Sequence, residues 1–237
     1  MPEEGKGGRG LTQRLRTAKG RTTASQKWLQ RQLNDPYVRR AKEAGLRSRA
    51  AFKIIELDER FSLFRPAQRI VDLGAAPGGW TQVAVSRAGD RGVVVALDLL
   101  PMDPVAGAAV LLGDFNDKSA ECAVLDALAG PADLVLSDMA PNTTGHVATD
   151  HLRIIALVEL AADFAAKVLS PGGAFVAKVF QGGTERDLLA RLKRDFATVR
   201  HAKPPASRKD SAESYVVAQG FRGEGVRAAE AGVAQPR

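Results

Sequence analysis

Short apolar runs recur along the chain and alternate with stretches of helical periodicity. A run of about four to eight apolar, often β-branched residues is typical of a strand buried on both faces of a parallel sheet. The clearest run is Val93-Val94-Val95-Ala96-Leu97. We predict strands at Arg69–Leu73, Val93–Asp98, Ala109–Leu112, Asp133–Ser137, Ala174–Val179 and Ser214–Gln219.

The segments between these strands carry apolar residues at helical spacing. A helical stretch begins at Pro36, and Arg65-Pro66 ends it, because proline cannot continue a helix. Another helix stops at Ser170-Pro171-Gly172-Gly173. Alternating strands and helices predict an α/β fold with a mostly parallel sheet covered on both faces. Further helices are predicted near Trp80–Arg87, Lys118–Ala129, Asp150–Leu169 and Thr184–Phe196.

Positive charge is concentrated near the N-terminus. The net charge is +7, but residues 1–49 hold 13 Lys or Arg against four acids, which gives +9 there and leaves −2 elsewhere. Residues 1–32 have few apolar side chains, so we predict a disordered basic arm. One folded domain is expected over residues 33–222, with a flexible tail over 223–237. The arm indicates a polyanionic partner such as nucleic acid, although a solubilising tail would have the same composition.

Composition excludes several classes of protein. The sequence contains no run of 18 apolar residues, so no membrane span is expected. The acidic start lacks the apolar region of a secretory signal. Cys122 is the only cysteine, and His146, His151 and His201 stand at unrelated positions, so neither a disulfide nor a metal site is expected. We therefore expect a cytoplasmic monomer without metal or membrane.

A glycine-rich turn follows the first strand. In Val71-Asp72-Leu73-Gly74-Ala75-Ala76-Pro77-Gly78-Gly79-Trp80 the glycines lack a Cβ, so the backbone can turn tightly and a ligand can approach it. A nucleotide-like cofactor is expected there. The spacing is not the G-x-G-x-x-G of dinucleotide dehydrogenases, and no P-loop lysine follows. This favours S-adenosylmethionine, with Gly78 and Trp80 around it, while a plain structural turn remains the alternative.

Acidic residues stand at the ends of the next three strands. Asp98 lies 20 residues after Gly78, where a carboxylate can accept hydrogen bonds from the ribose hydroxyls of a nucleoside. Asp114 can accept a hydrogen bond from the adenine amino group, and Phe115 is expected beside the adenine ring. Asp138 ends the fourth strand. Each acid alone is more often a turn residue or a helix cap, but three in succession predict a cofactor site.

These motifs carry a family resemblance. From roughly Arg40 to Gly220 the chain resembles the FtsJ/RrmJ ribosomal-RNA 2′-O-methyltransferases, in the glycine turn and in Asp98-Leu99-Leu100-Pro101-Met102, Gly113-Asp114-Phe115, Ser137-Asp138-Met139-Ala140-Pro141-Asn142, residues 171–182, Ser207-Arg208 and Glu213-Ser214-Tyr215. The resemblance implies a Rossmann-like, S-adenosylmethionine-dependent methyltransferase fold with a seven-stranded sheet. The most similar subgroup acts on a uridine of large-subunit rRNA. This implies 23S rRNA within the large (50S) ribosomal subunit as the partner.

The resemblance also implies a catalytic tetrad of Lys53, Asp138, Lys178 and Glu213. Lys178 ends a buried run, where an unpaired lysine is costly, which favours a function over a side chain that merely reaches water. Lys178 would accept the proton of a ribose 2′-hydroxyl, provided that desolvation lowers its pKa from about 10.4. Asp138 would orient Lys178, while Lys53 and Glu213 would position the ribose and each other.

RNA contacts and alternative functions complete the expectations. Phosphate contacts are expected from the arm, from Arg39-Arg40 and Arg47-Ser48-Arg49, and from Arg208 and Lys209. An aromatic content of 5% gives no sign of a broad base-stacking platform. The alternatives are a tRNA 2′-O-methyltransferase of the same family, a non-catalytic RNA-binding assembly factor and a small-molecule methyltransferase.

Overall fold

The computed structural model of the chain describes residues 22–141, 145–180 and 186–223. Its helices and strands follow in chain order as α1 (Thr23–Leu33), α2 (Pro36–Glu43), α3 (Ala51–Phe61), β1 (Arg69–Leu73), α4 (Gly79–Ala88), β2 (Val93–Asp98), β3 (Ala108–Leu112), α5 (Lys118–Leu128), β4 (Ala132–Ser137), α6 (Val147–Val168), β5 (Leu169–Phe180), α7 (Arg186–Asp195), β6 (Phe196–Ala202) and β7 (Glu213–Phe221).

The strands form one seven-stranded sheet in the order β3-β2-β1-β4-β5-β7-β6. The pairs from β3 through β5 are parallel, whereas β7 runs antiparallel to both β5 and β6. Apolar residues of α5, α6 and α7 pack on one face, and those of α3 and α4 pack on the other. This arrangement confirms the predicted α/β class with a mostly parallel sheet of seven strands and helices on both faces.

Most predicted elements occur close to their predicted positions. Strands β1 and β2 have the predicted bounds, and β5 is longer than predicted. The helical stretch from Pro36 is two helices, and α3 already ends at Phe61, ahead of Arg65-Pro66. Strand β6 was not predicted, because its apolar side chains do not form a run: Phe196 and Ala202 at its ends are buried while most residues between them are exposed.

The last part of the predicted arm over residues 1–32 is helical in the structure, since Thr23–Leu33 form helix α1. The Thr22 side chain accepts a hydrogen bond from the Ser25 N–H at 3.2 Å and so caps the beginning of this helix. Residues 1–21 of the arm and 224–237 of the tail lie outside the described residues, as do Asn142 and the motif end after Phe180. No helix in the described ranges combines the length and apolar character needed to cross a bilayer.

The glycine turn after β1 is shaped by a close backbone contact. Gly74 has φ +74°, and a Cβ there would lie 2.7 Å from Met139 Cγ and 2.8 Å from the Met139 backbone. A side chain at this position would therefore separate the turn from the segment that follows β4. The contact keeps the ends of β1 and β4 together on the edge where the predicted cofactor site lies.

Candidate active site

A cleft of ≈ 750 Å³ opens over the carboxyl ends of β1, β2, β3 and β4. This is the edge at which open α/β sheets bind ligands. Apolar residues of α6, among them Leu157 and Leu160, close one side. The remaining wall comes from the strand ends and the segments after them: Leu73, Gly74, Ala76, Leu97–Leu100, Gly113–Asn116 and Asp138–Pro141.

Asp98 is held rigidly at the end of β2. Its Oδ2 accepts the Ala76 N–H at 2.8 Å, and its Oδ1 accepts the Leu100 N–H at 2.8 Å. Each carboxylate oxygen can accept a further hydrogen bond, so the side chain is held in place and can still bind a ligand. The structure places this predicted ligand residue on the cleft wall with its geometry set by the glycine turn.

Asp114 and Phe115 lie at the end of β3 on the same wall. Asp114 Oδ1 accepts the backbone N–H of Asn116 at 2.9 Å and its side-chain amide at 2.8 Å, and these two hydrogen bonds lower the pKa of the Asp114 carboxyl. The Phe115 ring packs edge-on against Phe164 of α6, with 5.2 Å between the ring centroids. The end of β3 therefore offers a charged acceptor beside an aromatic ring.

Gly78 and Trp80 do not line the cleft. Trp80 is 2% exposed, its Nε1 donates to the Ala50 carbonyl at 2.8 Å, and its ring lies 5.6 Å from that of Tyr215. A Cβ on Gly78 would meet Arg47 and Val105 at about 3.1–3.2 Å, away from the cleft wall. The indole therefore stabilises the packing between α3, α4 and β7, and direct cofactor contact by these two residues remains a prediction.

The four residues of the predicted tetrad meet although they come from α3, the end of β4, β5 and β7. Lys178 Nζ lies 2.7 Å from Asp138 Oδ1 and 3.6 Å from Glu213 Oε2, and donates to the Asp138 carbonyl at 3.1 Å. Lys53 Nζ lies 2.7 Å from Glu213 Oε1 and 2.8 Å from Oε2. Two ammonium groups and two carboxylates thus form a charge-balanced chain, with no side chain more than 16% exposed.

Comparison with known proteins identifies the family of the chain. A family model described as FtsJ-like methyltransferase matches residues 46–221. This chain belongs to the FtsJ-like methyltransferase family. It is 65% identical over 209 residues to the "Ribosomal RNA large subunit methyltransferase E" of Acidiphilium cryptum, covering 88% of this chain and 92% of the relative. The protein of the same name from Gluconobacter oxydans is 63% identical over 216 residues, covering 91% and 80%.

A solved structure resembles the methyltransferase in three dimensions. The crystal structure of a Plasmodium falciparum protein, provisionally described as a ribosomal RNA methyltransferase, superimposes with a TM-score of 0.66 at 27% identity. The match covers 75% of this chain and 99% of that chain. Sequence and structure therefore assign the same methyltransferase fold and class of activity to the chain.

Two further residues complete the tetrad of the FtsJ-like methyltransferase and were not predicted as site residues. Tyr215 donates its hydroxyl to Asp138 Oδ1 at 3.0 Å, and Ser207 Oγ donates to Glu213 Oε1 at 2.9 Å. Tyr215 lies two residues after Glu213 on the last strand, so strand alternation places both side chains on the same face. This alternation was the signal that could have identified Tyr215 as a site residue. Ser207 lies in the loop before that strand, where periodicity gives no such signal.

The charge network sets the protonation of its members. Burial alone would lower the pKa of Lys178, but the carboxylates of Asp138 and Glu213 outweigh it and raise the pKa above 10.5. Burial would raise the pKa of Glu213, but Lys53 and Lys178 lower it to about 2. Burial and the two carboxylates raise the pKa of Tyr215, so its hydroxyl remains a donor. The expectation that desolvation lowers the pKa of Lys178 is therefore wrong for the free protein.

A further carboxylate lies beneath the cleft. Asp72 of β1 is fully buried, and Thr81 Oγ1 donates to its Oδ2 at 2.7 Å. Among the described residues, Asp72 Oδ1 has no hydrogen-bond partner. Burial raises the pKa of Asp72 to about 7, because the Thr81 hydrogen bond opposes this only in part and the Asp138 and Asp98 charges add to it. Near neutral pH this group therefore adds less than a full negative charge below Asp98 and Asp138.

The arginines expected to contact phosphate near the site are mostly engaged within the protein. Arg47 donates to the carbonyls of Pro77, Asp103 and Pro104. Arg49 pairs with Asp35 at 2.9 Å, and Arg208 pairs with the same carboxylate at 3.2 Å. These side chains hold loops around the active site, and phosphate contacts by them remain a prediction.

We predict that Glu213 contributes stability that depends on pH. Its pKa is 4.5 ordinarily and about 2 in the folded protein, so its ionisation stabilises the fold above about pH 4.5 and that contribution is lost as the pH falls toward 2. Glu213→Gln should lower the free energy of unfolding at pH 7, and the difference from the unmodified protein should shrink between pH 5 and 3. Denaturant titration of both proteins at each pH measures this difference in the free energy of unfolding.

The matched control for this prediction is Glu121→Gln. Glu121 forms a surface ion pair with Lys167 at 2.9 Å, so its removal should cost at most about 1 kcal/mol. A destabilisation by Glu213→Gln that stayed constant from pH 7 to pH 3 would contradict the link between the lowered pKa and stability.

Proposed function

We propose that this methyltransferase transfers the methyl group of S-adenosylmethionine to a ribose 2′-hydroxyl of RNA, with a uridine of 23S rRNA in the large (50S) subunit as substrate. The observation that carries the proposal is the buried cluster of Lys53, Asp138, Lys178 and Glu213 at the rim of a nucleoside-sized cleft. The names of its relatives support the large ribosomal subunit as the target. Such a substrate is cytoplasmic.

The cleft fits the cofactor. Asp98 has a fixed carboxylate with acceptor capacity left for two ribose hydroxyls, and Asp114 offers an acceptor beside Phe115 for an adenine amino group. Asp138 lines the cleft and also contacts Lys178, so it lies between the cofactor and the acceptor. When bound, S-adenosylmethionine supplies an electrophilic methyl group on a positively charged sulfur.

Lys178 is the residue placed to hold the attacking oxygen and accept its proton. Of its three contacts the one to Glu213 Oε2, at 3.6 Å, is the longest, so a 2′-hydroxyl would replace this contact at Nζ. In the free protein its raised pKa keeps it charged. Bound S-adenosylmethionine would add a positive charge to this site, and this charge would favour loss of a proton from the Lys178 ammonium group to solvent, because like charges disfavour the charged form. The neutral amine would then accept the proton of the 2′-hydroxyl, while Lys53 and Glu213 hold the acceptor ribose in line.

RNA affinity in this proposal comes from basic groups that remain exposed. Arg39 and Lys42 lie on the surface of α2, and Arg39 makes only a loose contact of 3.8 Å with Glu43. The basic residues of the arm over residues 1–21 add to them. Contacts of this kind give an affinity that falls as salt increases.

We predict that Asp98→Ala weakens binding of S-adenosylmethionine by more than about fivefold, the scale of a lost charged hydrogen bond. Asp117→Ala is the matched control, because Asp117 is an exposed carboxylate after the neighbouring strand and does not line the cleft. Calorimetry with both variants provides the comparison. Equal affinities in Asp98→Ala and the unmodified protein would remove the assignment of Asp98 to the ribose.

The substrate is tested by methyl transfer from labelled S-adenosylmethionine to three acceptors offered separately: large ribosomal subunits, free rRNA and tRNA. We expect label in a 2′-O-methyluridine of the large subunit or its rRNA. Label in tRNA alone would instead identify a tRNA 2′-O-methyltransferase. Label in none of the three would refute RNA methylation and leave a non-catalytic RNA-binding factor or a small-molecule enzyme.

We predict that Lys178→Ala transfers methyl groups at least about 10²-fold more slowly while binding S-adenosylmethionine no more weakly than the unmodified protein, since removing a proton acceptor costs about 10²–10⁴ in rate. Lys178→Arg should not restore activity, because a guanidinium stays protonated. NMR titration of the Lys178 side chain gives the second readout. Its pKa should fall when S-adenosylmethionine binds, but not when the uncharged thioether product binds.

Two results would contradict this role. Substantial activity in Lys178→Arg would make the residue an electrostatic clamp. An unchanged pKa of Lys178 in the presence of S-adenosylmethionine would leave the group charged and unable to accept a proton at neutral pH.

A further inference from the structure

Helix α2 carries a cation stacked on two aromatic rings beside the active site. The Arg40 guanidinium carbon lies 4.6 Å from the Phe52 ring centroid and 5.2 Å from that of Tyr37. The two rings are 5.4 Å apart and tilted by 59°. Arg40 is exposed, while Tyr37 and Phe52 are half-buried. The rings therefore lie within cation–π distance of a planar cation at the protein surface.

This stack is tied to the tetrad through two routes. Phe52 directly precedes Lys53, which binds Glu213. Tyr37 donates its hydroxyl to Glu56 Oε1 at 2.9 Å, and Glu56 Oε2 accepts the Ala206 N–H at 2.6 Å. Ala206 precedes Ser207, whose hydroxyl donates to Glu213 at 2.9 Å. The stack and the tetrad are thus connected through hydrogen bonds and through residues adjacent in the chain.

Arg40 differs from its basic neighbours in what it contacts. Arg49 and Arg208 pair with the carboxylate of Asp35, and Arg39 pairs with Glu43. In residues 22–141, 145–180 and 186–223 the contacts of Arg40 are with rings and with no carboxylate. A guanidinium held over aromatic rings is restricted in its position and keeps its outer side free for another planar group, and RNA-binding proteins stack unpaired bases on arginine side chains.

We propose that Arg40, supported by Tyr37 and Phe52, stacks on a nucleobase adjacent to the nucleotide whose 2′-hydroxyl is methylated. This inference rests on the proposed RNA substrate and extends it by naming a contact that reads an unstacked base. A phosphate would need only the positive charge of Arg40. Stacking also needs a planar cation held in a restricted position, and the two rings within 5.2 Å of the guanidinium carbon provide that restriction.

The test uses Arg40→Ala, Arg40→Lys and the matched control Arg39→Ala, which removes one exposed arginine from the same helix. For the acceptor that the unmodified enzyme methylates, both Arg40 variants should raise KM at least about fivefold, the lower range for one stacked base. Arg39→Ala should raise KM less. Affinity for S-adenosylmethionine and thermal stability should stay close to those of the unmodified protein in all three.

A second measurement identifies the base. An rRNA fragment containing the target nucleotide is made with a single abasic nucleotide at each flanking position in turn, and binding is followed by fluorescence anisotropy. At one position the abasic change should weaken binding to the unmodified protein at least about fivefold and leave binding to Arg40→Ala almost unchanged.

Several outcomes would overturn the inference. Rescue of KM by Arg40→Lys would assign a phosphate contact. Additive losses at every abasic position would show that Arg40 touches no base. A raised KM on assembled subunits with unchanged binding of the RNA fragment would assign a ribosomal protein as the contact. A fall in thermal stability alone would make the stack a structural link between α2 and α3. An enzyme that methylates none of the RNA acceptors would instead refute the proposed function itself.

Discussion

The active site depends on the neutralisation of a lysine inside the sheet. Lys178 belongs to β5, where an unpaired ammonium group would cost several kcal/mol. Asp138 and Glu213 supply the opposing charges, and Lys53 balances the second carboxylate. Because each member compensates its neighbour, removing one leaves a buried charge without a partner. The positions of α3, β4, β5 and β7 are therefore coupled through these four side chains as well as through apolar packing.

The reversed direction of β7 makes this coupling possible. In an antiparallel pair the beginning of one strand lies beside the end of the other, and here Glu213 and Tyr215 pair with Phe180 and Lys178. A parallel β7 would place its first residues at the opposite edge of the sheet. The antiparallel strand thus brings a carboxylate and a phenol to the edge where the parallel strands end.

Much of this arrangement was predictable, and the failures have physical causes. Strand β2 was predicted with its correct bounds because both of its faces are covered, so its residues form a nearly continuous apolar run. Edge strand β6 leaves most of its residues exposed, so it has no such run. The charge pattern predicted a cationic surface but not the partners of each arginine. Arg47 donates to the Asp103 carbonyl and Arg49 pairs with Asp35, and only the folded chain brings these groups together. The rise in the pKa of Lys178 likewise depends on neighbours that only the fold assembles.

Asp138 joins the two halves of the site. It lines the cleft built from the parallel strand ends, and its Oδ1 also contacts both Lys178 and Tyr215 on the antiparallel side. A change of charge on one side of Asp138 therefore changes the electrostatic potential at the groups on the other side. Since the Asp138 carboxylate is a principal cause of the raised pKa of Lys178, a cation in the cleft competes with Lys178 for the same negative charge. In the proposed mechanism, cofactor binding and activation of the acceptor hydroxyl would therefore be linked through one carboxylate.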